Sequence, residues 1–402
     1  MRAPVGWLVA HLRDVASVQT GFAKGKTASE GAVSVPYLRV ANVQDGYVIL
    51  ANVTNIDVTP TQVERYGLRS GDVLFTEGGD FNKLGRGTVW RGQISPCLHQ
   101  NHVFAVRPAA DKLLPEFLAA LAASSHGRRY FQSASKQSTN LASINSTQLK
   151  TFPLLLPPLP VQRKIAEILR TWDDAIGKTL ELRRLADARR GALAERVLAP
   201  SPEIRRKLSQ LTKPIKTRNS ASELGRESVM GVSNRSGLVA MREQTIAADI
   251  SRYQVLPPRA FAYNPMRINV GSIAMSRLES HVLVSPDYVL FQCDERELSP
   301  EYLDHVLRTR WWLHHVNAGA SGSVRTRTYY DDLAAISIAA PPVAEQENIS
   351  LALDGLDMEI ELLRRKAELL RTQKRGLMQK LLTGQVCVNV AADIEPGRQD
   401  DD

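Results

Sequence analysis

Residues Pro157 to Leu198 read PPLPVQRKIAEILRTWDDAIGKTLELRRLADARRGALAERVL, and 184 residues later Pro341 to Leu382 read PPVAEQENISLALDGLDMEIELLRRKAELLRTQKRGLMQKLL. Without a gap, Pro157 matches Pro341, Pro158 matches Pro342, Gln162 matches Gln346, and Ile165 matches Ile349. Leu169 and Leu353, Asp173 and Asp357, Ile176 and Ile360, Leu185 and Leu369, Leu193 and Leu377, and Leu198 and Leu382 continue the match. An internal repeat of this kind decides the fold before any local propensity is weighed. Each copy reads as a long helix that can start only after its Pro-Pro pair, because proline lacks an N–H and holds the preceding residue out of helix.

In the second copy Ile349, Leu353, Leu356, Ile360, Leu363, Ala367, Leu370, Leu377 and Leu381 keep a four-three spacing, with Lys374 in one expected apolar place. A heptad sustained this long indicates a coiled-coil seam. The first copy holds the phase with Ile165, Leu169, Trp172, Ile176, Ala186, Leu193 and Val197, interrupted by Thr179, Arg183 and Arg190. At 1.5 Å per residue each helix is roughly 50 Å long.

A chain of 402 residues exceeds one ordinary core. Hydrophobic content of 43% with 23% charged residues indicates a globular protein rather than a disordered one. The longest apolar run, Phe152 to Pro160, is too short and too proline-rich to span a membrane. MRAPVGWLVAHLRD lacks the apolar centre of a signal peptide. Cys97, Cys293 and Cys387 are scattered and show neither disulfide nor zinc spacing, so a cytoplasmic protein with no metal site is expected. The net charge of +9 suits a phosphate-binding surface.

Outside the helices, VPYLRVANV, DGYVIL and RSGDVLFT read as short strands between turns. Lys24-Gly25-Lys26-Thr27 resembles the end of a phosphate-binding loop, but Gly21 is one residue too close and no apolar strand precedes it. TEGGDFNKLGRG (Thr76 to Gly87) is a glycine-rich loop, Pro115 to Phe131 a helix, and SASKQSTNLASINS (Ser133 to Ser146) a polar segment. After a Pro-, Ser- and Lys-rich linker the chain re-enters a domain near Leu208 and echoes the first half. PEYL at Pro300 matches PEFL at Pro115, INVGSIAM falls beside KLGRGTVW, and Tyr288-Val289-Leu290 falls beside His102-Val103-Phe104. GASGSVRTRTYY (Gly319 to Tyr330) takes the place of the first polar segment.

These marks divide the chain into residues 1–156, a helix over 157–200, residues 201–340, a second helix over 341–385, and an acidic tail over 386–402 expected to be disordered. No chemistry emerges from the motifs. No Pro-Pro is framed as a [DNS]PP[YFW] methyltransferase loop, no true P-loop serves a helicase, Pro286-Asp287 has no ExK partner, and no HExxH occurs.

Two diverged halves, each followed by a PPxxxQ-opened helix, resemble the specificity subunit of type I restriction-modification systems. Pro157-Pro158, Gln162, Ile165, Pro341-Pro342, Glu345-Gln346, Ile349, the closing LLTG (Leu381 to Gly384) and the opening WLVAHLRDVASVQTG carry the resemblance. Two departures stand out: Pro160-Val161 lacks the usual glutamate, and the second domain opens shortly at Lys207 to Leu211.

The resemblance implies an α+β fold with two target-recognition domains, each reading half of a split double-stranded DNA target. It implies that the helices pair antiparallel through Ile165, Leu169, Trp172, Ile176, Ile349, Leu353, Leu356, Ile360, Leu363 and Leu370, as a ruler of about 15 base pairs at 3.4 Å per pair. It further implies a non-catalytic chain that binds no cofactor itself. Two modification subunits, docked on the helices, would bring S-adenosylmethionine, and restriction subunits would bring ATP and Mg²⁺.

Arg suits guanine and Asn or Gln suits adenine. The candidate DNA-binding residues are therefore Lys24, Lys26, Asn82, Lys83, Arg86, Lys136, Gln137 and Asn140 in the first domain. In the second they are Arg235, Arg259, Asn264, Arg267, Asn269, Arg325 and Arg327. Each could instead be a solvated loop residue or a phosphate contact without sequence information. A helical adaptor with incidental basic charge and a self-contained restriction-modification enzyme are the rival readings.

Overall fold

A computed structural model describes residues 3–23, 31–79, 81, 84–85, 87–137, 142–199, 202–220, 224–234, 236–318 and 327–389. Contacts divide them into two units. The first holds the described residues up to Lys178 with those from Lys366 onward; the second runs from Thr179 to Arg365. Each long helix is therefore shared between the units.

The first unit contains β1 (Leu8–His11), α1 (Leu12–Val15), β2 (Ala16–Thr20), β3 (Val73–Thr76), β4 (Gly87–Val89), β5 (Val103–Pro108), α2 (Pro115–Ala123), β6 (Pro153–Leu156) and the start of α3 (Leu159–Val197). Its main sheet has the order β2-β5-β3-β4, all antiparallel, and β1 pairs with β6. The second unit contains β7 (Arg205–Lys207), α4 (Leu208–Leu211), β8 (Thr212–Ile215), β9 (Phe261–Tyr263), β10 (Ile273–Met275), β11 (Val289–Cys293), α5 (Pro300–Val306), β12 (Ser337–Ala339) and the start of α6 (Val343–Leu382). Its sheet order, β8-β11-β9-β10, repeats that of the first unit strand for strand, and β7 pairs with β12.

This topology corrects two sequence readings and shows that one departure has no effect on the helix start. The second domain does not open short: Arg205–Lys207 forms β7, and Leu208 and Leu211 are buried as Leu12 and Val15 are. Basic side chains on β7 obscured a strand whose backbone pairing is the same. Second, Pro160 leaves the helix start unmoved, because proline is tolerated in a first turn whose N–H groups have no intrahelical acceptor. Third, Val289 falls beside Phe104 rather than Val103. Val106 pairs with Val18 and Val73 as Phe291 pairs with Pro214 and Phe261, and that fixes the phase. Consecutive apolar residues in both strands carry no alternation from which the sequence could set it.

The repeated glutamine explains the PPxxxQ motif. Gln162 is fully buried; its Oε1 accepts the Leu114 N–H at 2.9 Å, and its Nε2 donates to the carbonyls of Lys112 and Pro157, both at 2.9 Å. Gln346 does the same, accepting from Ser299 at 2.9 Å and donating to Glu297 and Pro341 at 2.9 and 2.7 Å. Leu114 and Ser299 are the N-caps of α2 and α5. One amide side chain thus ties the start of α3 to the start of α2, and its repeat ties the start of α6 to the start of α5.

Each core takes in both long helices. Phe75, Phe104, Phe117, Phe131 and Phe152 pack with Ile165 and Leu169 of α3 and Leu381 and Leu382 of α6. In the second unit Phe261, Phe291, Tyr302 and Trp312 pack with Leu353 of α6 and Ala194 and Leu198 of α3. Antiparallel pairing of the helices is visible in each unit: Lys374 meets Asp173 at 2.5 Å in the first, and Arg190 meets Asp357 at 2.9 Å in the second. The repeat relates these pairs, so the breaks at Lys374 and Arg190 are one polar seam position seen twice. Thr179 is buried in the seam, and Trp172, Ile176, Ile349, Leu356, Ile360, Leu363 and Leu370 are half-buried.

Cys97, Cys293 and Cys387 are free, and burial pushes the Cys97 thiol up to about 12 and the Cys293 thiol up as well. His99 is fully buried, and burial lowers it to about 4. Below the ordinary histidine value of about 6.5 the unfolded chain takes a proton that the folded chain refuses, so stability falls as pH falls from there toward 4. The first unit should lose roughly 3 kcal/mol over that window. Denaturant titrations from pH 7 to pH 4 would measure it, and His99→Gln should remove that part of the slope.

Candidate nucleic-acid interface

In the first unit β2 and β3 end, and β5 begins, at one end of the sheet. From the other end β5 leads through residues 109–114 into α2 and the anchored start of α3. Gly21 follows β2 and approaches the backbone of His99 and Gln100 so closely that an added Cβ would lie 2.2 Å from the His99 carbonyl oxygen. That approach lets Phe22 N–H donate to His99 O at 2.8 Å and Asn101 N–H donate to Phe22 O at 3.1 Å. The chain is thereby held against the start of β5 as it enters the segment containing Lys24 and Lys26.

After β3, Glu77 N–H donates to His102 O at 2.9 Å, and Ile144 N–H donates to Glu77 O at 2.8 Å. Gly78–Gly79 pairs with Ala142–Ser143, which pairs in turn with Lys136–Gln137. Three stretches read separately in the sequence therefore meet at one end of the sheet, opposite the end that leads to the anchored start of α3. Lys136 is exposed there, and Gln137 lies in the paired backbone. Lys24, Lys26, Asn82, Lys83, Arg86 and Asn140 lie outside the described residues.

The second unit brings the equivalent segments together. Thr328 N–H donates to Pro265 O at 3.0 Å, and the Tyr263 hydroxyl donates to Thr328 O at 3.2 Å. Asn264 Oδ1 accepts from Met266 N–H at 2.9 Å, and Ser272 N–H donates to Arg267 O at 3.1 Å, closing a tight loop. Gly271, at φ +82, supplies the left-handed residue this loop needs. Arg267, Asn269 and Arg327 are exposed around it. Arg259 lies before β9, at the opposite end, and pairs with Glu301 at 3.0 Å and Glu295 at 3.3 Å. Arg235 and Arg325 lie outside the described residues.

Among the described residues, His305, Asp354 and Asp357 are close enough to share a metal ion. Positive charge is already there: Arg190 is paired with Asp357, Arg277 lies 3.9 Å from Asp354, and Arg308 lies 3.7 Å from Asp357. Arg190 also donates to His305 Nδ1 at 3.2 Å, while burial lowers the His305 pKa and favours the neutral ring that can accept. The group is a charged joint between α5 and the long helices.

A family model described as "Type I restriction modification DNA specificity domain" matches residues 4–183. A putative type I restriction enzyme MjaX specificity subunit from Methanocaldococcus jannaschii is 25% identical across 96% of this chain and 95% of its own length. The chain is therefore similar to a type I specificity subunit along nearly its whole length. The EcoKI specificity subunit of Escherichia coli is 27% identical over 44% of this chain and 41% of its own. In fold, the chain is similar to a crystal structure of a type I restriction-modification S subunit from M. genitalium, with TM-score 0.54 and 11% identity over 95% and 97% of the two chains. It is also similar to a chain solved for the complex assembly and conformational transition of the type I R-M system, with TM-score 0.55 and 16% identity over 96% and 100%. Among the described residues no helix is long and apolar enough to cross a membrane.

Proposed function

We propose that this chain is a specificity subunit that reads a bipartite DNA target, with residues 1–156 and 201–340 as the two reading domains. The paired helices set the gap between the two half-sites. The observation that carries this reading is the repeat of one scaffold with different chemistry at the same end. Residues 76–79, 136–137 and 142–144 meet in the first unit, and 264–272 meets 327–328 in the second. A scaffold of this kind positions loops whose side chains reach base edges, while phosphate contacts fix the register.

Modification subunits dock on the helices. Leu182 and Leu185 of α3 and Leu351, Met358 and Leu362 of α6, all in the second unit, are between 50% and 74% exposed. Large apolar groups left outside a coiled-coil seam suit a helical partner. Methyl transfer with S-adenosylmethionine, and ATP- and Mg²⁺-dependent cleavage, then reside on the modification and restriction subunits.

Co-expression with the modification subunit of its own system and mapping of methylated adenines test the reading. The expected motif has two short defined parts around a fixed gap, and Arg267→Ala with Arg327→Ala should alter one part only. A continuous motif would overturn the two-reader assignment. An assembled complex that methylates nothing and binds DNA without salt dependence would favour the adaptor, since neutralised phosphates release counterions and make true binding salt-dependent.

A further inference from the structure

Where the three segments of the first unit meet, Glu77, Asn101 and His102 form a polar cluster. His102 Nδ1 hydrogen-bonds Glu77 Oε2, and Asn101 Nδ2 lies 3.4 Å from His102 Nε2. Both contacts fit one neutral tautomer, with Nδ1–H donating to the carboxylate and Nε2 accepting from the amide. Glu77 Oε1 has no hydrogen bond among the described residues, and the Glu77 and His102 side chains are 31% and 54% exposed.

An acceptor-only group at the DNA-facing end of a basic chain is unfavourable beside phosphate oxygens and needs a donor. In the major groove the base donors are the exocyclic amino groups, adenine N6 and cytosine N4; guanine O6, guanine N7 and thymine O4 are acceptors and would repel it. The second unit lacks this cluster, because the strand registers set Pro265 where Glu77 stands and Asp287 where His102 stands.

We propose that Glu77 reads an exocyclic amino group, adenine N6 or cytosine N4, at one base pair of the first half-site, with Asn101 and His102 holding its carboxylate in place. This rests on the DNA-reading function proposed above. The amide of Asn101 orients the imidazole, the imidazole fixes one carboxylate oxygen, and the other oxygen faces the groove. Glu77 acts on the base, and His102 is a positioning residue.

The test maps methylated motifs for the complete complex carrying the unaltered chain, Glu77→Ala, Glu77→Gln or His102→Ala. Glu77→Ala should lose roughly tenfold preference at one base pair of the first half-site, leaving the second half-site and the gap unchanged. Glu77→Gln keeps the volume and replaces one acceptor by a donor, so it should change the preferred base at that same position. His102→Ala should relax that position and no other. An unaltered motif in the Glu77 variants, or a uniform loss of methylation with every base preference intact, would overturn the proposal and leave the cluster as a loop fastener. Absence of a split motif in the unaltered complex would instead overturn the reading on which it rests.

Discussion

Gln346→Ala lowers the stability of the second unit by about 3–5 kcal/mol, and Gln162→Ala does the same to the first. Each glutamine is fully buried and makes three hydrogen bonds of 2.7–2.9 Å to backbone groups. Truncation leaves one N–H and two carbonyls without partners in a dry site, and each orphan costs about 1–3 kcal/mol before any water enters. Few single surface or loop changes approach that figure. Guanidinium titrations should show a lower midpoint for the unit concerned. Hydrogen exchange at the Ser299 amide in Gln346→Ala, and at the Leu114 amide in Gln162→Ala, should be faster. A loss below 1 kcal/mol for either would show that the amide is not the fastening point.

Arg190→Ala costs about 2–3 kcal/mol, whereas Lys374→Ala, the same position in the other repeat, costs below about 1 kcal/mol. The Arg190 side chain is only 17% exposed and binds both Asp357 oxygens, at 2.9 and 3.3 Å, besides His305 Nδ1. Its removal leaves a partly buried carboxylate and a buried imidazole nitrogen unsatisfied. Lys374 pairs with an Asp173 side chain that is 60% exposed, so water replaces the lost partner at little cost. Denaturation of the two variants side by side gives the contrast, and equal losses would mean that burial does not govern this position. The first repeat has no equivalent joint because α2 carries Ala119, Ala120 and Ala123 where the α5 region carries Asp304, His305 and Arg308.

The long helices, their pairing and the twofold plan of the chain were legible in the sequence. Apolar spacing and the Pro-Pro stops are local signals, and an ungapped repeat of them admits few readings. The importance of Gln162 and Gln346 was visible as a coincidence of position, but not their task, since Lys112, Leu114, Glu297 and Ser299 lie far away along the chain. Strand phase was less legible: the slip that set Val103 beside Val289 arose where consecutive apolar residues carry no alternation. Lys207 to Leu211 was misjudged for a related reason, because backbone pairing tolerates the basic side chains of β7.

Of the candidate interface, composition indicated which loops diverge and which side chains suit DNA. It could not say that residues 22, 77, 102 and 144 are neighbours, because the order of strands in a sheet is set by long-range pairing and not by any local pattern. Nor could it separate Arg259, held by Glu295 and Glu301 at the far end of β9, from Arg267 and Arg327 at the loop end. The sequence by itself determined two similar halves, two long helices with a coiled-coil seam and a basic chain, because periodicity, proline chemistry and charge are properties of neighbouring residues. Only the tertiary structure decided which polar groups stand together at the reading end, since hydrogen bonds such as His102 to Glu77 join residues that no spacing rule connects.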